Sequence, residues 1–292
     1  MLDEIVCASE DGIAAGIALE GPSRGQATGR LHLQTEAIDI KLLQKPPSAR
    51  YASAEDVRAD LRRFLDGQPV PFDDGQTILE AARKAGHYIP SLCWHKDFPP
   101  HGSCKLCVVK AAGRHVSACA TPAKEGWEVE SNTPEINGER RGLLQMLFVE
   151  GNHFCPSCEK SGNCELQALA YEYEVLTPRF RHFFPDRPVD ASHPDVLLDF
   201  NRCIFCELCV RASREIDGKS VFALTGRGIG KHLVVNAESG RLGDTDFSAT
   251  DAAARICPVG VILPKGQGFA VPIGERAFDV ATIRSKTLKE SS

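Results

Sequence analysis

Hydrophobic and polar residues follow two different periods along this chain, and clusters of Gly, Pro and Asp mark where one gives way to the other. From Gly67 the run Gln68-Pro-Val-Pro-Phe72 reads as extended, and Asp73-Asp74-Gly75 reads as a turn. Thr77-x-x-Glu80 then has the spacing of a capping box, in which hydroxyl and carboxylate each satisfy an amide at a helix start. Ile78, Leu79 and Ala82 form the apolar face of that helix, and Gly86 supplies its stop. Leu106–Lys110 and His115–Ala120 alternate around Ala111-Ala112-Gly113 as a hairpin, and Trp127-Glu-Val-Glu130 adds a strand. Strands with one crossing helix predict a small α+β sheet domain over residues 67–133.

The period then becomes helical over residues 134–190. Leu143, Leu144, Leu147 and Phe148 fall on one face, a second helix runs from about Cys164 through Tyr173, and a cysteine-bearing loop joins the two. Beyond Pro185 and Pro188, residues 191–276 begin with the apolar strand Val196–Phe200 and continue as cysteine loop, helix (207–215), strands (220–224 and 232–236) and helix (249–256). This β-α-β-β-α order resembles a ferredoxin-like unit. Gly226-Arg-Gly-Ile-Gly230 sits between two of these strands and opens no helix, so it reads as a turn and not as a nucleotide-binding loop. Residues 277–292 read as a polar tail.

Upstream, residues 1–66 read as an N-terminal extension without metal-like spacing: Gly21-Pro-Ser23, an apolar alternation near Leu31–Ile40, and a Pro46-Pro47-Ser48 break. A short helix is predicted over Ala54–Phe64 from Val57, Leu61 and Phe64, with Ser53 as its N-cap.

Composition narrows the class. With 292 residues, 42% apolar and 25% charged, the chain has material for about two domains and a real core, which excludes wholesale disorder. Its longest apolar stretches, Leu143–Val149 and Val259–Leu263, fall far short of the roughly 20 residues of a membrane span. A balance of 34 Lys+Arg against 39 Asp+Glu gives a net charge of −5 and no basic field for nucleic acid. The chain opens Met-Leu-Asp-Glu without a leader pattern, so its 12 cysteines are expected in a reducing cytoplasm, as metal ligands and not disulfides.

The cysteines fall into three sets. Cys93, Cys104, Cys107 and Cys119 are spaced C-x10-C-x2-C-x11-C, and four thiolates suit a [2Fe-2S] cluster, a [4Fe-4S] cluster or structural zinc. Gly102-Ser103 permits a tight loop whose amides point at sulfur. Cys155, Cys158 and Cys164 supply three thiolates and need a fourth ligand; His153 is the candidate, with Glu150 or solvent as substitutes. Cys203-x2-Cys206-x2-Cys209 with a distant Cys257-Pro258 has the spacing of a ferredoxin [4Fe-4S] site. Only Cys7 is left over, read as a spare thiol. No Walker or G-x-S-x-G sequence accompanies them, so the chain reads as a carrier of electrons.

Five stretches carry a family resemblance: Tyr88–Cys93, Gly102–Cys107, Glu150–Gln167, Arg202–Cys206 and Ile256–Gly260. They resemble the iron–sulfur module shared by the large peripheral subunit of complex I, iron-only hydrogenases and NAD-linked formate dehydrogenases. Within that group they are most similar to the small iron–sulfur subunits of the diaphorase part of NAD-reducing soluble [NiFe] hydrogenases. A single residue, Phe154, separates His153 from Cys155, the shortened form of the hydrogenase subunits. The resemblance implies a β-grasp [2Fe-2S] domain around the first set, a one-histidine, three-cysteine [4Fe-4S] site, and a four-cysteine [4Fe-4S] site in a ferredoxin-like domain. It further implies a flavin (FMN) and NAD-binding diaphorase subunit on one side and the hydrogenase small and large subunits on the other. The implied order is flavin partner, Cys93 set, Cys203 set, His153 set, next subunit. A split formate dehydrogenase or complex I-like assembly is the alternative within electron transfer, and a zinc-bound structural or nucleic-acid-binding protein is the alternative outside it.

Overall fold

A computed structural model describes residues 70–289. The expectations for Leu31–Ile40, the 54–64 helix, Cys7 and the N-terminal extension lie outside the described residues.

The first helix, α1 (Ile78–Lys84), starts with the expected capping box: Glu80 N–H donates to the Thr77 hydroxyl at 3.3 Å, and Thr77 N–H donates to the Glu80 carboxylate at 2.8 Å. It ends in a Schellman turn, with Gly86 at φ +79°, where His87 N–H reaches the Ala82 carbonyl and Gly86 N–H the Arg83 carbonyl. Strands β1 (Val108–Ala111) and β2 (Arg114–Ser117) pair antiparallel from Ala111↔Arg114 outward. Ala112 and Gly113 between them both take positive φ, the backbone of a tight hairpin turn. β3 (Val129–Glu130) adds to the other side of β1, giving the order β2-β1-β3. Ile78, Leu79, Ile89, Val109 and Ala118 close a small core against these elements, with Cys107 and Cys119 inside it.

The next block begins with α2 (Pro134–Glu150), capped by the Thr133 hydroxyl and started by Pro134. Of its predicted face Leu144 is fully buried, while Leu143, Leu147 and Phe148 pack partly against the core. α3 (Glu165–Glu172) begins immediately after Cys164.

The third block holds β4 (Val189–Asp190), β5 (Val196–Asp199), α4 (Leu208–Glu215), β6 (Phe222–Thr225), β7 (His232–Val235), α5 (Ala252–Arg255) and β8 (Ile262–Pro264). The predicted β-α-β-β-α order is present, with two differences. β8 extends it by pairing antiparallel with β5, and β6-β7 form a hairpin separate from the β4-β5-β8 sheet. The Gly226–Gly230 segment is the connection of that hairpin.

Residues 277–289 correct the expectation of a polar tail. They form α6 (Ala277–Val280) and α7 (Ile283–Lys289). Ala277 N–H donates to the Asn163 side chain, Arg284 pairs with Glu172 on α3, and Ile283 enters the core. One apolar residue per turn suffices for docking, and so sparse a pattern hides among Lys, Arg and Ser.

A single large core joins the three blocks: Leu92 and Leu106 from the first, Leu144, Leu166 and Leu169 from the second, Leu198, Phe200 and Leu242 from the third. Each fully buried leucine contributes about 2 kcal/mol of apolar burial. Among the described residues, no helix is long and apolar enough to cross a membrane.

Candidate metal centres

The first cysteine set sits where two loops meet. Leu92-Cys93 and Cys104 approach each other, with Cys93 Sγ 3.4 Å from Cys104 Sγ, while Cys107 leads into β1 and Cys119 lies in the turn after β2. The amides of Leu92 and Cys104 each donate to a sulfur at 3.4 Å, and main-chain hydrogen bonds from Ser103 to Cys93 and from Gly102 to Cys119 add to them. This is the tight loop the Gly102-Ser103 pair predicted, with Gly102 at φ +66°. The thiols associate in pairs. The hydrogen bond shared with Cys104 lowers Cys93 to about 6, the one shared with Cys119 lowers Cys107 to about 7, and Cys104 and Cys119 are raised.

In the second set, His153, Cys155, Cys158 and Cys164 line one cavity, walled by Phe148, Leu166 and Arg202. The His153 ring bonds the Leu147 main chain, and its Nε2 is buried without a partner. Burial, helped by Arg187 and Arg202, lowers His153 to about 4, so the ring is neutral with a free lone pair. A histidine fixed by a main-chain bond, with its other nitrogen neutral and unused, has the arrangement of a metal ligand. Burial pushes Cys164 up to about 12.

In the third set Cys203, Cys206, Cys209 and Cys257 are all buried. Burial pushes Cys203 up to about 12 and Cys206 and Cys209 further, and Cys257 acts electrostatically on all three. Such thiols ionise only beside a cation, which is what a metal supplies. The loop alternates its backbone to aim them, with Phe205 at φ +54° and Glu207 at φ +62°. Neither residue signals a left-handed conformation in the sequence, and strain of this kind gathers at functional sites.

Among the described residues no group of three or more His, Cys, Asp or Glu converges on a single ion. A cluster needs no such convergence, because its ligands are shared out among its irons, two to each iron of a [2Fe-2S] core and one to each iron of a [4Fe-4S] core. The paired thiols, the sulfur-directed amides and the orphaned His153 Nε2 all fit residues built to hold iron–sulfur clusters.

The three sets are adjacent in a definite order. Ser103 donates to the Phe205 carbonyl, and Arg211 on α4 donates to the Cys93 carbonyl at 2.7 Å, linking the first set to the third. Glu165 N–H bonds the Pro258 carbonyl, and a Cβ on Gly260 would lie 3.0 Å from Cys158 Sγ, linking the third to the second.

Residues 58–134 match the 2Fe-2S iron-sulfur cluster binding domain family, 140–179 the NADH-ubiquinone oxidoreductase-G iron-sulfur binding region, and 196–263 the 4Fe-4S single cluster domain. The chain is 39% identical to the gamma subunit of the NAD-reducing hydrogenase HoxS of Cupriavidus necator over 226 residues, covering 77% of this chain and 96% of that one. This chain belongs to the NAD-reducing hydrogenase gamma-subunit family. A chain of the crystal structure of an NAD+-reducing [NiFe]-hydrogenase in the H2-reduced state shares the fold with a TM-score of 0.73 at 55% identity, over 76% of this chain and 94% of that one. The mitochondrial 78 kDa subunit of NADH-ubiquinone oxidoreductase from Candida albicans is 32% identical over 231 residues, 76% of this chain but only 31% of its own length. As a gamma-subunit relative the chain carries one [2Fe-2S] and further [4Fe-4S] centres and forms part of an oxidoreductase complex.

The sequence marks the thiols and His153 as candidates but gives no sign of the four arginines around them. Arg202 pairs with Asp199 and Glu159 at 2.7 and 2.8 Å beside the second cavity. Arg187 donates to the Glu150 and Cys203 carbonyls and lies over the Phe205 ring. Arg140 and Arg211 are buried to 2% and 6% exposure. Arg140 stands at a face position of α2 that the helical period alone would assign to an apolar residue.

Proposed function

We propose that this chain is the electron-relay subunit of an NAD-linked hydrogenase, standing between a flavin and NAD-binding diaphorase subunit and the hydrogenase small and large subunits. Family membership supports the assembly, and the order of the sites along the fold carries the relay. We assign Cys93, Cys104, Cys107 and Cys119 to the [2Fe-2S] site of a β-grasp domain (67–133), and His153, Cys155, Cys158 and Cys164 to one [4Fe-4S] site in the helical segment (134–190). Cys203, Cys206, Cys209 and Cys257 are assigned to the other [4Fe-4S] site, in the ferredoxin-like domain (191–276). Iron–sulfur clusters supply one-electron transfer when bound.

The chain's own residues do the rest. Apolar burial excludes water from the third set, main-chain amides neutralise sulfur charge at the first, and a neutral imidazole makes the second less anionic than four thiolates would. Contacts join the third set to each of the other two, which supports its role as the middle station. We place the assembly in the cytoplasm, where thiols stay reduced.

The test is a Cys206→Ala variant in the purified complex. Hydrogen-dependent reduction of NAD should fall at least about a hundredfold, while hydrogen-dependent reduction of an artificial dye at the hydrogenase subunits persists. Equal retention of both activities would contradict the relay. Co-purification with a formate dehydrogenase or complex I partner in place of a nickel subunit would redirect the assignment.

A further inference from the structure

We propose that Arg140 and Arg211 are the buried counter-charges of the first cysteine set and set its reduction potential, an inference that rests on this set holding the [2Fe-2S] cluster. The two side chains come from different elements and close on the set from different sides. Arg140, on α2, donates through Nε to the Leu106 carbonyl at 3.1 Å and through Nη2 to the Val108 carbonyl at 2.7 Å, so it grips the chain on both sides of Cys107. Arg211, on α4, donates to the Cys93 carbonyl at 2.7 Å and the Pro99 carbonyl at 3.1 Å, and its guanidinium lies 5.1 Å from the Phe98 ring centroid.

Neither guanidinium meets a carboxylate among the described residues. The other partners of Arg140 are the Ser131 carbonyl and hydroxyl, the Asn137 side chain and the Tyr173 hydroxyl; Arg211 adds only the Glu207 main-chain carbonyl. Arg202, less deeply buried beside the second set, has two carboxylates. A buried charge is costly unless something opposite compensates it, and neutral carbonyls do so only in part. Arginine stays protonated in proteins, so neutralisation offers no way out. Beside both arginines lies the same candidate anion, the four-thiolate set.

The charges match. A [2Fe-2S] core held by four thiolates carries two negative charges when oxidised and three when one electron has entered. Two fixed cations balance the oxidised site and favour the added electron, so they raise the potential. At an effective dielectric of about 20, a unit charge about 10 Å away changes the reduction equilibrium by roughly tenfold. For a one-electron couple that is about 59 mV.

The experiment uses the assembled complex and a redox titration followed by low-temperature electron paramagnetic resonance of each cluster. Arg140→Met and Arg211→Met should each lower the midpoint of the [2Fe-2S] signal by about the tenfold equivalent, with the His153-site signal unmoved. Arg140→Lys and Arg211→Lys, which keep the charge, should restore most of it. Arg140→Gln and Arg211→Gln, neutral but still hydrogen-bonding, separate charge from clamping and should behave like the Met variants. An unmoved midpoint in loaded Met or Gln variants would overturn the proposal. So would loss of the cluster in neutral and Lys variants alike, which would make the arginines structural clamps; loss in the neutral variants alone supports the counter-charge role. A wild-type complex without a [2Fe-2S] signal would instead overturn the assignment of the set itself.

Discussion

Gly151→Ala isolates the placement of His153 without replacing any proposed ligand. Gly151 has φ −113° and ψ 176°, an extended conformation open to alanine, so the backbone itself is not strained. The added Cβ would lie 2.7 Å from His153 Nε2, 3.0 Å from its Cδ2 and 2.9 Å from the Asn201 carbonyl oxygen. That carbonyl cannot retreat freely, because it accepts the Asn152 amide at 2.8 Å while the Asn201 side chain is tied to Asp199 and the Arg187 carbonyl. The imidazole must therefore yield. Ordinary contact begins near 3.4 Å, so Nε2 has to move by about 0.7 Å. A metal constellation tolerates about 0.5 Å of displacement. Overpacking of this kind costs about 1–3 kcal/mol, and here the strain falls on the ring that holds the orphaned nitrogen. In the purified complex the His153-site signal should change its line shape or midpoint. If the cluster is lost, iron should fall from about ten to about six per chain. The other two signals should stay as they were. Gly138→Ala on the same helix has nothing within 4 Å of its Cβ and serves as the control, expected to stabilise by about 1 kcal/mol. Unchanged iron, spectrum and midpoint in Gly151→Ala would refute the placement of His153 at this cluster.

Three further outcomes are expected. His153→Cys replaces a neutral ligand by an anionic one, so the midpoint of that cluster should drop while its iron content holds; a titration superimposing on wild type would sink the ligand assignment. Gly226→Ala forces alanine to φ +78° and drives its Cβ into the Gly230 carbonyl, so chemical denaturation should show a loss of at least about 2 kcal/mol, and a loss below half that would mean the β6-β7 turn relaxes more easily than its geometry allows. Thr77→Ala removes the hydroxyl of the α1 capping box and should cost about 1 kcal/mol in the same assay, leaving all cluster signals in place; an unchanged midpoint of unfolding would show the cap to be dispensable.

Local chemistry was legible in the sequence wherever one residue type forces one conformation or one ligand. The Thr77–Glu80 box, the Gly86 stop, the Ala112-Gly113 turn and the short cysteine spacings are all of that kind, and the elements around them stand within a few residues of expectation. β4 and β8 were not legible, because strands of two or three residues are too short to display alternation and exist only by pairing with β5. The helices α6 and α7 escaped for the related reason that Ile283 is their one buried residue, with Phe278 only partly covered. At the candidate site the thiols announce themselves, but the order of the three sets does not. It depends on contacts such as Arg211 to Cys93, between residues 118 positions apart. The two arginines without carboxylate partners are visible only once burial is known, since arginine in a helix reads as a solvated face.

Iron, zinc and acid-labile sulfide analysis of the anaerobically purified protein, with electron paramagnetic resonance after reduction, tests most directly whether the chain holds three iron–sulfur centres. One [2Fe-2S] and two [4Fe-4S] centres require about ten irons and about ten sulfides per chain, with the [2Fe-2S] signal distinct from the other two. Colourless protein containing zinc and no labile sulfide would contradict the account.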